Sequence, residues 1–336
     1  METPHRNNIG LLRYLLALAV FAHHANVLTG THLPAPARLA VGLFFALSGY
    51  FGWRSAAHAP SARAYLLRRG RRLLIPYWAA VVFFAVTLVC VSQLPPSVYF
   101  TSAEWWRYLA ANLLTLNFAQ PTLPGVFAGL EAGGAVNGAL WFVKVEIALS
   151  LLAPLMARGT ATRRRPWLVP TLVYALCAAT LYLAGDTLSQ ARGSIVARHI
   201  WYLQMYAAGA ACSACGLCSL PSRRLWCAAG AGLWLLSLYL PVLSPLLAAA
   251  PAVAAMVAFG CTDGASALNR HNISYTLFLV HFPLLQCATL AQRHGWWNAP
   301  WLSAALALAA SLALAAVLHF VTERNGKNRA QKAEKA

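Results

Sequence analysis

The chain has 336 residues, 60% of them hydrophobic and only 10% charged, with a formal net charge of +18. Soluble domains carry about 25% charged residues, so the composition excludes a soluble globular protein and points to an integral membrane protein. The basic residues stand in short clusters between apolar runs, the positive-inside pattern of a membrane chain. With no DNA- or RNA-binding motif beside them, no nucleic-acid partner is expected.

The first apolar run, Ile9–Leu28 (IGLLRYLLALAVFAHHANVL), is about twenty residues long and would rise roughly 30 Å as a helix, the thickness of a bilayer core. It is too long for a cleavable signal, holds Arg13, and lacks a small-x-small site before the next span. Arg13 and His24 fall on one helix face, roughly 16 Å apart along the axis, while His23 points about 80° away. A cation and an imidazole on one stripe of a membrane helix face either a polar interior or the two headgroup layers.

The second span is Leu39–Trp53, and it delivers the chain to a basic segment, Arg54–Arg72, that contains no acid and is expected on the cytoplasmic side. Span three, Leu73–Leu94, stops at Pro95-Pro96. Glu104–Phe118 has paired tryptophans and too few apolar residues to cross, so it reads as an interfacial or re-entrant helix on the outer side. The Gly- and Pro-containing stretch 119–137 reads as a mobile loop. Further spans follow at Gly138–Met156, Trp167–Ala184, His199–Leu220, Leu225–Leu240, Pro245–Gly260, Asn272–Leu290 and Ala299–Val321.

With the N-terminus inside, this count places the strong basic clusters and the tail on the inner face; counting Glu104–Phe118 as a crossing would put Arg163–Arg165 outside. The expected fold is therefore an all-α, polytopic membrane helix bundle of about ten transmembrane helices with both termini cytoplasmic. It comprises one membrane domain, 1–324, and a basic cytoplasmic tail, 325–336. The cysteines sit mostly within apolar runs, where they act as small hydrophobes. CSACGLC (Cys212, Cys215, Cys218) reads as a helix-packing stretch rather than a metal site, and no metal is expected.

The polar residues inside these spans are few: Arg13, His24, Lys144, Glu146 and His281, with Ser48 and Tyr50 in the motif SGY. Each can serve as a bundle hydrogen bond. Together they make a site. Lys144 and Glu146, two apart, diverge by about 200° on a helix and must serve different neighbours.

Taken in order, the chain resembles acyltransferase family 3, membrane enzymes that O-acylate sugars and other hydroxylated acceptors. Five stretches carry the resemblance: LLRYLLALAVFAHH with Arg13 and His24, FFALSGY, RRGRRLLIPYW with Arg69 and Arg72, LWFVKVE with Trp141 and Glu146, and ISYTLFLVHFP with His281. Glu323 after the last span also matches. The chain departs from the family pattern at Phe142, Val143 and Lys144, and has no acid in Ile9–Leu12 before the arginine.

The resemblance implies transfer of an acyl group, most often acetyl, from cytoplasmic acyl-CoA to a hydroxyl of a glycan or other acceptor at the outer side. That would be O-acetylation of a cell-envelope polysaccharide or similar compound by a multi-pass protein of the inner (cytoplasmic) membrane. His24 would act as general base or as acylated nucleophile. Glu146 or His281 would orient it. Arg13 would hold the donor or polarise its thioester, and Arg68, Arg69 and Arg72 would hold the CoA phosphates. Ser48, Tyr50, Trp141, His281 and Glu323 complete the polar core candidates. A second reading of the same Arg/His/Glu set is a proton-coupled transporter.

Overall fold

A computed structural model describes residues 7–158, 164–184, 193–240, 244–247, 249, 251–255, 268–269 and 272–334, with backbone alone for residues 158, 193–194, 223, 244–245 and 323–334. The fold is all-helical: apart from one isolated bridge between Thr122 and Ala135, the described residues contain no strand pairing. The principal helices are α1 (Ile9–Thr29), α2 (Ala37–Ala57), α3 (Ala62–Thr87), α4 (Pro96–Thr101), α5 (Ala103–Leu113), α6 (Trp141–Arg158), α7 (Leu168–Leu183), α8 (Gly193–Ala214), α9 (Arg223–Tyr239), α10 (Ser274–Arg293) and α11 (Pro300–Glu334).

Among the described residues, four stretches are long and apolar enough to cross a membrane: Ile9–Thr29, Ala62–Val91, Ser274–Arg293 and Pro300–Thr322; Leu168–Leu183 is apolar but shorter. Two boundaries differ from the sequence expectation. Span three, expected to begin at Leu73, is continuous with a helix that starts at Ala62 within the basic segment. Arginine is a good helix former, Ser61 Oγ caps the start by accepting from Ala64 N at 3.0 Å, and no proline intervenes before Pro76. At the other end, α11 carries its helical backbone past span ten into the basic tail. Of the expected span Pro245–Gly260, residues 248, 250 and 256–260 lie outside the described residues.

The chain divides into two compact units. The first comprises Met1–Leu16, Arg38–Arg69 and Glu146–Asn272. Its organising contact is the close approach of α2 and α8. An added Cβ on Gly49 would lie 1.9 Å from the carbonyl oxygen of Tyr206, and one on Gly209 would lie 1.8 Å from that of Ala46. Only glycine lets the two backbones meet this closely, the small-residue packing that membrane helices use in place of a hydrophobic drive. Phe45 and Tyr202 pack beside the crossing with ring centroids 4.8 Å apart.

The second unit comprises Ala17–Ala37, Gly70–Val145 and Ile273–Ala336. Its centre is α10, buried from Leu277 through Pro283 without interruption. Pro283 has no N–H, so the carbonyl of Leu279, four residues earlier, loses its helical donor. Asn137 Nδ2 supplies the replacement at 2.8 Å, and its Oδ1 accepts from Ala139 N at 3.1 Å. One side chain therefore repairs the helix break and holds the entry to α6.

In the same unit α5 lies against α3. Tyr77 OH donates to Asn112 O at 2.7 Å and Trp78 Nε1 to Leu113 O at 2.8 Å. α5 is eleven residues long with Trp106 exposed, the shape of an interfacial helix. The stretch 119–137, expected as mobile, is folded. Leu123, Val126, Phe127, Leu130 and Val136 are buried, Val136 N donates to Pro121 O at 2.8 Å, and Thr122 Oγ1 donates to Glu104 at 2.6 Å. Its apolar residues outweigh its glycines.

Candidate functional site

In the second unit, α1 and α10 bring His24 and His281 together, with His24 Nδ1 and His281 Nε2 at 2.8 Å. The rings stack, centroids 5.0 Å apart and 23° from parallel, and Phe282 meets His24 edge-on at 5.1 Å. His281 is buried at 2% exposure, and its Nδ1 lies 2.8 Å from the carbonyl oxygen of Phe278.

These contacts fix the tautomers. A carbonyl oxygen only accepts, so Nδ1 of His281 carries the hydrogen; in the neutral ring Nε2 is then the acceptor. His24 must therefore donate from Nδ1, which leaves the lone pair of His24 on Nε2. The chain Phe278–His281–His24 has the logic of a base held by an orienting third group. The sequence left Glu146 and His281 as alternative partners of His24; the imidazole that meets His24 is His281.

Arg13 and His24 both lie on the continuous helix α1. Arg13 belongs to the first unit, where its guanidinium stands 4.9 Å from the ring centre of Phe51. His23 is exposed.

The first unit holds the second polar cluster. Glu146 is 3% exposed, and its Oε1 accepts from Arg69 Nη2 and from Ser48 Oγ in two short contacts. Arg69 Nη2 also donates to Ser48 Oγ at 2.6 Å, and Nε to Ser150 Oγ at 3.2 Å. Because α3 begins early, Arg69 sits on a helix and its side chain is only 15% exposed, engaged by a carboxylate rather than open to a phosphate. Arg68 and Arg72, by contrast, are exposed.

Helical period sorts the remaining candidates. Tyr50, two positions from Ser48, turns to Cys218 Sγ at 3.6 Å. Lys144, two from Glu146, places Nζ 4.7 Å from the centre of the Phe118 ring. Trp141 is half-buried at the start of α6, and the Glu323 side chain lies outside the described residues. Cys218 is disulfide-bonded, a departure from the expectation of packed thiols. No His/Cys/Asp/Glu group that could hold a metal occurs among the described residues.

Sequence reasoning missed Tyr65, Tyr206 and Ser150 beside Arg69 and Glu146, and Asn137 beside α10. Pro283 inside an apolar run was the one available signal for the last, since it demands a donor from elsewhere.

Neither a curated protein nor a solved structure matches the chain. The family model described as an acyltransferase domain matches residues 6–320. That match covers nearly the whole chain, both polar clusters included, and the protein belongs to acyltransferase family 3.

Proposed function

We propose that the protein is a membrane O-acyltransferase of the inner (cytoplasmic) membrane. It moves an acyl group, most simply acetyl, from cytoplasmic acyl-CoA to a hydroxyl of a glycan or other acceptor at the outer side. The observation that supports this best is the lone pair left on His24 Nε2 by the contacts of His281. An acceptor hydroxyl is a weak nucleophile at neutral pH, and imidazole is the side chain suited to take its proton there.

In the proposed step Nε2 takes the hydroxyl proton while the oxygen attacks the thioester carbonyl. The C–S bond then breaks, the acyl group stays on the acceptor oxygen, and the departing thiolate receives the proton from the imidazolium. Acylation of Nε2 followed by transfer uses the same nitrogen. Arg13, on the same helix, is proposed to hold the donor or polarise its carbonyl. Arg72 and Arg68 are the exposed cations proposed for the CoA phosphates, with Arg69 holding Glu146 beside them. Ten crossings with both termini inside remain the topology that suits the basic clusters. The family match lends no support to the transporter reading.

The test is release of CoA thiol from acetyl-CoA by the purified full chain, with an extract of envelope glycans as acceptor and mass spectrometry of the product. His24→Ala should slow thiol release by about 10²- to 10⁴-fold, the range of a positioned base. Wild-type rates in that variant would remove His24 from the chemistry.

A further inference from the structure

In the first unit three buried polar atoms, Glu146 Oε2, Tyr65 OH and Tyr206 OH, lack a hydrogen-bond partner of good geometry, although the two phenols approach each other and Tyr65 approaches Ser150. All three residues are at least nine-tenths buried, Tyr65 at 1%, Tyr206 at 0% and Glu146 at 3% exposure. Both phenols stand within electrostatic reach of Arg69 and Glu146. A side chain at Gly52 would begin 2.7 Å from Tyr206 OH and 3.4 Å from Tyr65 OH, so the two hydroxyls converge on the face that glycine leaves bare.

A buried polar atom left unpaired costs about 1–3 kcal/mol, and membrane surroundings offer no water in compensation. If the two phenols bonded to each other, one hydrogen would remain to be given, and since neither phenol bonds to Glu146 Oε2, that oxygen would still need a donor. The charges of Arg69 and Glu146 cancel within their ion pair, so the group that completes the cluster is neutral. It must also offer both a donor, for Oε2, and an acceptor, for a phenol. A phosphate fails on the first count. A secondary amide meets both.

We propose that Glu146 Oε2, Tyr65 and Tyr206 form a binding site for an amide of the pantetheine arm of the acyl donor, with N–H to the carboxylate and C=O to a phenol. This rests on the acyl-CoA reading above. The exposed Arg68 on α3, in the same unit, favours the donor over a glycan hydroxyl, which would share the chemistry but is expected to meet the protein at its outer side.

The test uses the detergent-solubilised full chain, titrated with acetyl-CoA, S-acetylpantetheine and adenosine 3′,5′-bisphosphate. Tyr65→Phe and Tyr206→Phe should each weaken the two pantetheine-bearing probes by about three- to tenfold, one hydrogen bond's worth. Binding of the adenosine probe should be unchanged, and the unliganded melting temperature should not fall, because each variant deletes an unpaired polar atom. Unchanged affinity for S-acetylpantetheine in both variants overturns the site, and so does an equal loss for the adenosine probe. A change in acceptor KM alone would reassign it to the glycan and likewise overturn it. Failure of the wild-type chain to bind acetyl-CoA would instead overturn the donor reading itself.

Discussion

In the first unit a guanidinium meets a carboxylate; in the second an imidazole meets an imidazole. Both clusters are built from helices, and both use residues that are costly to place in a membrane interior. They differ in what is left over. Arg69 and Glu146 neutralise each other, and two serines occupy further positions around them. The histidine pair consumes three of its four ring nitrogens in a directed chain and leaves one lone pair on His24. A cluster whose charges cancel, with Glu146 Oε2 and two phenols left over, holds structure or a neutral ligand, whereas one that ends in an imidazole lone pair can accept a proton. That both are costly to bury therefore says nothing about which is reactive. The direction of the hydrogen bonds does.

The largest effect that would sharpen this contrast is on the ion pair. Glu146→Leu should destabilise the protein by about 3–5 kcal/mol, because it strands the Arg69 charge in a buried site. Thermal unfolding in detergent reads it directly. Arg69→Met combined with Glu146→Leu should recover most of that loss, since no charge is then left unpaired. A double variant no more stable than the single one would show that Arg69 was never neutralised by Glu146.

The histidine pair responds on a different axis. His281→Phe keeps a ring in the stack but gives His24 Nδ1 nothing to donate to, so either nitrogen of His24 can carry the hydrogen. Thiol release should fall by about 10- to 100-fold, the size of effect seen when an orienting partner is lost. Stability should fall by about 1–3 kcal/mol, because a larger ring enters a buried site and His24 Nδ1 loses its acceptor. A large loss of stability with normal activity in the surviving protein would make His281 a packing residue only.

How much of this was legible beforehand follows from the distances involved. Apolar runs marked the long helices, and period alone separated Lys144 from Glu146. The Arg13–His24 stripe needed only one helix to be seen. Pairings between helices were not available in the same way: His24 and His281 are 257 residues apart, and Arg69 and Glu146 are 77 apart. Period says which face a residue occupies, not which other face it meets. The start of α3 was misplaced for a different reason. Five arginines in ten residues read as cytoplasmic by charge and set the start of the span at Leu73, yet arginine costs a helix almost nothing. The stretch 119–137 misled through its glycines, whose positive φ angles at Gly125, Gly129, Gly133 and Gly134 shape a folded turn rather than an open one.

The smallest effect concerns the scaffold that carries His281. Asn137→Ala removes the donor to the Leu279 carbonyl and should cost about 1 kcal/mol, near the average for hydrogen bonds between membrane helices. Pro283→Ala alone restores a backbone N–H that competes for the same carbonyl. The two changes should therefore not add: with alanine at position 283, the cost of Asn137→Ala should shrink towards zero. If the two costs simply summed in thermal unfolding, Asn137 would owe its place to capping α6 and not to the break in α10. The position of His281, two residues before that break, would then be set by the buried packing of α10 alone.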